Sequence, residues 1–196
     1  MNQQGNSTGG GGGGAGGGSS QPNNPTHFAA RVPEGIARGV YSSAHVVIDN
    51  PKEVVVDFLM GITRPFSVVA RVVMTPQTLA EFIPALEQNL DNYIQQYGPP
   101  PALPTPVNEH KPTLEEIYEH FKLSDDMLSG AYANAVLIGH SASEFVFDFF
   151  TNFHPTPAVG SRVYVPAPVA ARFLNTLKST HQRYQQRSGN DQKPNL

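Results

Sequence analysis

Residues 39–75 read GVYSSAHVVIDNPKEVVVDFLMGITRPFSVVARVVMT, and residues 130–166 read GAYANAVLIGHSASEFVFDFFTNFHPTPAVGSRVYVP. A shift of 91 residues lays the first stretch on the second without a gap and carries the match on to residues 98 and 189. Gly39 falls on Gly130, Tyr41 on Tyr132, Glu53 on Glu144, Asp57 on Asp148, Phe58 on Phe149, Arg71 on Arg162, Phe82 on Phe173 and Tyr93 on Tyr184. Sixteen of 60 positions are identical. The identities include Tyr, Arg, Glu and Asp, so compositional bias does not account for them. The chain holds one module twice, and everything else about its architecture follows from that.

Each copy reads as three strands and a helix. Ser42–Asp49, Val54–Met60 and Ser67–Met74 are β-branched runs of strand length, separated by turn signals at Asn50-Pro51 and at Gly61 with Arg64-Pro65. The period then changes: Leu79, Phe82, Ile83, Leu86, Leu90 and Ile94 recur at three- and four-residue steps, one face of a helix. Thr75 suits its N-cap, Pro76 its first position and Gly98 its stop, while Pro84 lies inside and predicts a kink. Hairpin registers that set Asp57 opposite Arg71, Met60 opposite Val68 and Val46 opposite Val56 place only apolar side chains on the helix-facing side. The outer side then carries Ser43, His45, Val47, Asp49, Asp57 and Arg71, a mixed surface too apolar for full solvation. Burying it calls for a second module. The expected fold is therefore α+β, two β-β-β-α repeats at 39–98 and 130–189 forming an intramolecular pseudo-dimer.

The flanking segments differ in kind. Residues 1–26 are almost wholly Gly, Ser, Gln, Asn, Thr and Pro without charge, and predict a disordered, solubilising tail; residues 190–196 predict a second one. Between the repeats, residues 99–129 open with PPPALPTP, a polyproline-like spacer that contains the Pro101-x-x-Pro104 spacing of SH3-type ligands. A short helix follows, with Thr113 and Glu116 as a capping box and Leu114, Ile117, Tyr118 and Phe121 as an apolar stripe. Such a stripe is expected to dock on its own domain.

Together the two modules resemble a family of short bacterial and archaeal proteins, domain-of-unknown-function family 3467. The resemblance rests on Gly130-Ala131-Tyr132-Ala133-Asn134, Ser143-Glu144-Phe145-Val146-Phe147-Asp148-Phe149 and Ser161-Arg162-Val163. In the first copy it rests on Ala70-Arg71-Val72-Val73-Met74-Thr75-Pro76, Ala85-Leu86, Asn89-Leu90, Tyr93 and Gly98. That family tends to carry Pro-x-His-Ala-Lys at the helix start. Here the positions read Pro76-Gln77-Thr78-Leu79-Ala80 and Pro168-Val169-Ala170-Ala171-Arg172, so no role for that His and Lys carries over. The resemblance implies a tandem duplication of the family's domain and no particular activity.

The sequence offers little catalytic chemistry. There is no cysteine, which excludes disulfides, thiolate metal sites and a Cys nucleophile. The seven histidines lack His-x-His and His-x3-His spacings, and no phosphate-binding glycine loop or Gly-x-Ser-x-Gly occurs. Glu144 and Asp148, like Glu53 and Asp57, stand four apart on a strand, ~13 Å by the strand rise and too far for a glycosidase pair. The chain is expected to be no enzyme and to need no cofactor or metal. Asp57 with Arg71 and Asp148 with Arg162 read as structural cross-strand pairs.

Charge divides the copies. Residues 39–98 hold 3 Lys/Arg and 6 Asp/Glu, whereas residues 130–189 hold 5 and 2, so the copies carry −3 and +3. Arg172, Arg183 and Arg187 fall within about 60° on the second helix, a candidate anion or nucleic-acid contact that Tyr132 and Tyr164 could extend by base stacking. The first functional expectation is a non-catalytic interaction module, with an unknown protein as partner. The alternative is a single-strand nucleic-acid binder of pseudo-dimeric build, similar at fold level to Pur-alpha-like proteins. No apolar run reaches the ~18 residues of a membrane span, and no secretory leader is evident, so a cytoplasmic protein is expected. Assembly beyond the pseudo-dimer stays open.

Overall fold

The computed structural model describes residues 30–104 and 112–191. The tail at residues 1–26 lies outside them. A single turn of helix, α1 (Glu34–Ala37), opens the first repeat. Four strands follow: β1 (Val40–Tyr41), β2 (Ala44–Asp49), β3 (Val54–Met60) and β4 (Ser67–Met74). Helix α2 (Pro76–Tyr97) is capped by the Thr75 side chain, which accepts from the Thr78 N–H, and it ends at Gly98 with φ 84°. It runs through Pro84 as one element. The connecting helix α3 (Leu114–His120) carries the full capping box of Thr113 and Glu116. The second repeat repeats the order as β5 (Ala131–Tyr132), β6 (Ala135–His140), β7 (Glu144–Thr151), β8 (Ala158–Pro166) and α4 (Ala167–Asp191). Asn190 and Asp191, assigned to the C-terminal tail on composition, continue α4.

Each repeat has the expected three long strands and helix, preceded by a two-residue strand. That short strand does not join its own sheet. β1 pairs parallel with β8, Val40 beside Val163, and β5 pairs parallel with β4, Val72 beside Ala131. The first sheet thus runs β2-β3-β4-β5 and the second β1-β8-β7-β6, each completed by the other repeat. The equivalence reaches back to Arg31, which bridges Ala158 in parallel, and to Lys122, which bridges Ser67 in the same way.

The helices cross over as well. α2 packs on β6, α4 packs on β2, and the two helices touch each other. Between them lies a shared aromatic core. The Phe173 ring sits 5.5 Å from Phe58, 5.9 Å from Phe82 and 5.7 Å from Phe147, and Phe58 lies 5.6 Å from Phe149. All five rings are buried, and burying each side chain is worth roughly 1.5–3 kcal/mol. The two repeats form one intramolecular pseudo-dimer.

Three expectations are corrected. First, the modules join through their inner faces and helices, not through the outer faces. Second, β2 is shifted by one residue: Val47 pairs with Val56, His45 with Phe58 and Asp49 with Val54. The Asn50 side chain is the cause. Its Oδ1 accepts from the N–H groups of Lys52 and Glu53, both at 2.8 Å, which makes the turn a four-residue loop, Asn50 to Glu53. His45, Val47 and Asp49 therefore face inward. The β3–β4 pairing agrees with the expected register from Val54 to Phe58, including Asp57 opposite Arg71. Third, a bulge at Phe58/Leu59 sets Leu59, not Met60, opposite Val68.

Candidate functional site

Alternation along β3 and β4 puts Asp57 and Arg71 side by side on the outer face of the first sheet. Arg71 grips the carboxylate with both prongs, Nε to Oδ1 and Nη2 to Oδ2 at 2.7 Å each, and its Nη1 donates to the Leu128 carbonyl at 3.2 Å. Arg162 repeats this on Asp148 at 2.6 Å for both prongs, with Nη1 donating at 3.2 Å to Ala37, the residue equivalent to Leu128. Both guanidinium groups are held above their usual pKa, first by the hydrogen bonds to their aspartates. Gly39 and Gly130 make this geometry possible. Each has φ near +65°, at 63° and 69°, where a side chain is strained. A Cβ on Gly130 would meet Arg71 Cγ at 2.8 Å, and one on Gly39 would meet Tyr164 Cε2 at 2.6 Å and Arg162 Cγ at 2.8 Å.

The two pairs also converge. Arg71 and Arg162 line a single cleft of about 340 Å³ on the pseudo-twofold, with Gly39, Gly130, Asp126 and Ser161 among its other walls. Every lining residue of one repeat is matched by its equivalent from the other.

What distinguishes the pairs is their cover. On the first sheet, Tyr118 from α3 donates its hydroxyl to Asp57 Oδ2 and accepts from Arg71 Nη2 at 3.3 Å, with its ring 6.0 Å from the guanidinium carbon. Burial, together with Asp57, pushes that hydroxyl up to about 12. Phe121 stacks on Phe66 at 5.5 Å and closes over Gly61. As a result the Asp57 side chain is 0 % exposed. On the second sheet Asp148 is 15 % and Arg162 is 22 % exposed. Leu137, the equivalent of Val46, is 40 % exposed. There Tyr164, two residues along β8, interacts with Arg162 from within the sheet itself.

The helix arginines proposed from sequence have structural partners within the chain. Arg183 Nη2 donates to Asp49 Oδ1 at 3.1 Å, and Arg187 pairs with the other oxygen of the same carboxylate. Arg172 donates to the Pro104 carbonyl at 3.4 Å, where Pro100, Pro101 and Leu103 lie along α4, so the Pro101-x-x-Pro104 stretch rests on its own domain. Tyr164 packs against Gly39. Tyr132 is 43 % and Phe153 is 56 % exposed, their rings stacked at 6.3 Å and 10°.

Sequence reasoning missed the buried polar contacts between repeats. His45 lies against Phe173 at 4.8 Å and shares a 3.0 Å hydrogen bond with Thr176. Burial, reinforced by Arg172, holds its pKa down to about 4. The signal was present as a His and an Asp two and four residues from apolar neighbours on β2, but only the observed register turns them inward. Among the described residues, no three His, Asp or Glu side chains gather to hold a metal, and no helix is long and apolar enough to cross a membrane.

Comparison with known families finds the duplication as well. The model of the family "Protein of unknown function (DUF3467)" matches residues 15–100 and again residues 105–190. The chain belongs to that family and carries its domain twice in tandem. Among curated proteins, none matches the chain.

Proposed function

We propose that the chain is a non-catalytic protein-binding module, acting within the cell, whose contact surface is the outer face of the second sheet. The observation that supports this is the unequal cover of two corresponding faces: Tyr118 buries Asp57 completely, while Asp148 and Arg162 keep partial exposure and Leu137 is exposed. Solvated apolar side chains beside an oriented ion pair offer both contact area and direction to a partner. Catalysis has no support of comparable weight, since each Arg–Asp pair is mutually satisfied.

The test compares equivalent positions. A photo-cross-linking residue at Leu137 should label protein in a native lysate, while the same residue at Val46 labels only the chain itself. Equal labelling from both positions, or none from Leu137, would overturn the reading. A second reading, single-strand nucleic-acid binding, draws on the exposed parallel rings of Tyr132 and Phe153. It predicts a salt-sensitive gel shift that Tyr132→Ala abolishes.

A further inference from the structure

We infer that the outer face of the second sheet takes a short, acidic, amphipathic helix carrying a tyrosine, seated there as α3 is seated on the first sheet. This rests on the protein-binding reading above and names the partner's chemistry. The two faces share their central groups, while Val73 of the first is Tyr164 on the second, beside Arg162. Each has an arginine that binds its aspartate through Nε and Nη2 and donates through Nη1 to an equivalent carbonyl, Leu128 or Ala37. Both have a positive-φ glycine beneath the arginine stem. In each, a parallel bridge brings the chain in at the same corner, Lys122 to Ser67 and Arg31 to Ala158.

On the first face the occupant's chemistry is visible. α3 supplies half-buried apolar side chains at Ile117, Tyr118 and Phe121, with Leu114 exposed, and a phenol that satisfies the carboxylate oxygen and the guanidinium edge together. Glu115 and Glu119 look to solvent. The second face presents the same acceptor and donor, Asp148 Oδ2 and Arg162 Nη2, partly exposed. It replaces Val46 with the larger and more exposed Leu137. A hydroxyl fits because a single oxygen can give a proton to the carboxylate while accepting from the arginine. The acidic character is taken from the template: Lys178, Arg183 and Arg187 of α4 are already matched by Glu87 and Asp49, and Glu115 and Glu119 line the open side of α3.

The probe is a fluorescent, helix-stapled peptide of residues 112–122, PTLEEIYEHFK, titrated into the full chain by anisotropy. Saturable one-to-one binding is expected. It should weaken at least ~tenfold with Asp148→Asn or Leu137→Asp in the chain, and equally with Tyr118→Phe in the peptide. Circular dichroism confirms that each variant is folded. The inference is overturned by the absence of saturable binding, or by binding indifferent to both chain variants. It is also overturned if binding appears only after residues 1–29 are deleted, which makes the chain's own segment the occupant. Self-association of the chain that Leu137→Asp dissolves overturns it too, in favour of a second copy. If the peptide fails while the Leu137 cross-linker still captures protein, the helix falls and the protein-binding reading stands. Failure of both removes both.

Discussion

The same helix-on-sheet contact is made twice in this molecule with different chemistry. Where α4 crosses β2, the repeats meet through His45 with Thr176 and through Asp49 with Arg183 and Arg187. Where α2 crosses β6, the equivalents of His45 and Asp49 are Val136 and His140, and the contact is aromatic. Tyr93 lies 5.9 Å from His140 and 5.4 Å from Phe145, Tyr97 lies 6.3 Å from His140, and the Tyr93 hydroxyl donates to the Ala142 carbonyl at 2.9 Å. Duplication preserved the backbone and let the chemistry of each contact diverge. The divergence has a use. Asp49 finds cations on α4, whereas the equivalent positions of α2 hold Asn92 and Gln96, so β2 distinguishes the two helices and like does not pair with like.

Separating the halves breaks the comparison most severely. Residues 107–196 alone lack the strand that completes their sheet and the helix that covers β6. They should dimerise or aggregate in sedimentation experiments; a stable monomer would contradict the exchanged architecture. Next in size is the contrast between the ion pairs. Asp57→Asn strands a guanidinium beneath α3 and should cost about 3–5 kcal/mol in chemical denaturation. The same change at Asp148, partly solvated, should cost at most ~1 kcal/mol. Equal costs would mean that Tyr118 adds nothing to burial of the first pair.

Acid should sharpen the contrast between the crossings. Folded, His45 binds a proton only near pH 4; unfolded, it does so near its usual 6.5. Its contribution to stability is complete above pH 6.5 and is lost as the pH falls from about 6.5 to about 4, about 3 kcal/mol in all. Denaturation curves of His45→Val, which copies Val136, should lose that slope. A variant that keeps it would assign the acid limb to other groups. Smaller still, Gly39→Ala and Gly130→Ala should each cost about 1–2 kcal/mol for the left-handed backbone, plus whatever the arginine stem must yield. A difference beyond ~1 kcal/mol between them would show that the two corners are unequal in more than cover.

Much of this was legible in residue order. The shift of 91 residues gave the repeat, the β-branched runs gave the long strands, and the positions of Asp57 and Arg71 gave a register that the β3–β4 hairpin adopts. What escaped was of two kinds. β1 and β5 are two residues long and pair with strands far away in the chain, so neither period nor turn chemistry marks them. The register of β2 hung on one side chain, Asn50, whose two hydrogen bonds close the turn at four residues, one fewer than the expected pairing leaves, and bring His45 and Asp49 to the inner face. The candidate site was half legible. Both Asp–Arg pairs could be named, but their convergence on one cleft and their unequal cover depend on how the repeats are mounted.

The exchange of β1 and β5 has a consequence for synthesis. As the chain leaves the ribosome, β2, β3 and β4 emerge and can form a hairpin sheet, yet β4 keeps a bare edge until residue 131 arrives. β1 waits longer still, for a partner whose pairing begins at Val163. The nascent first half is thus an open-edged sheet without its final strand, the state most exposed to pairing with neighbouring chains. The protein's folding is committed only when translation of the second half is nearly done, so slowing the ribosome between the repeats should raise aggregation, where in most tandem proteins a pause gives the first domain time to finish.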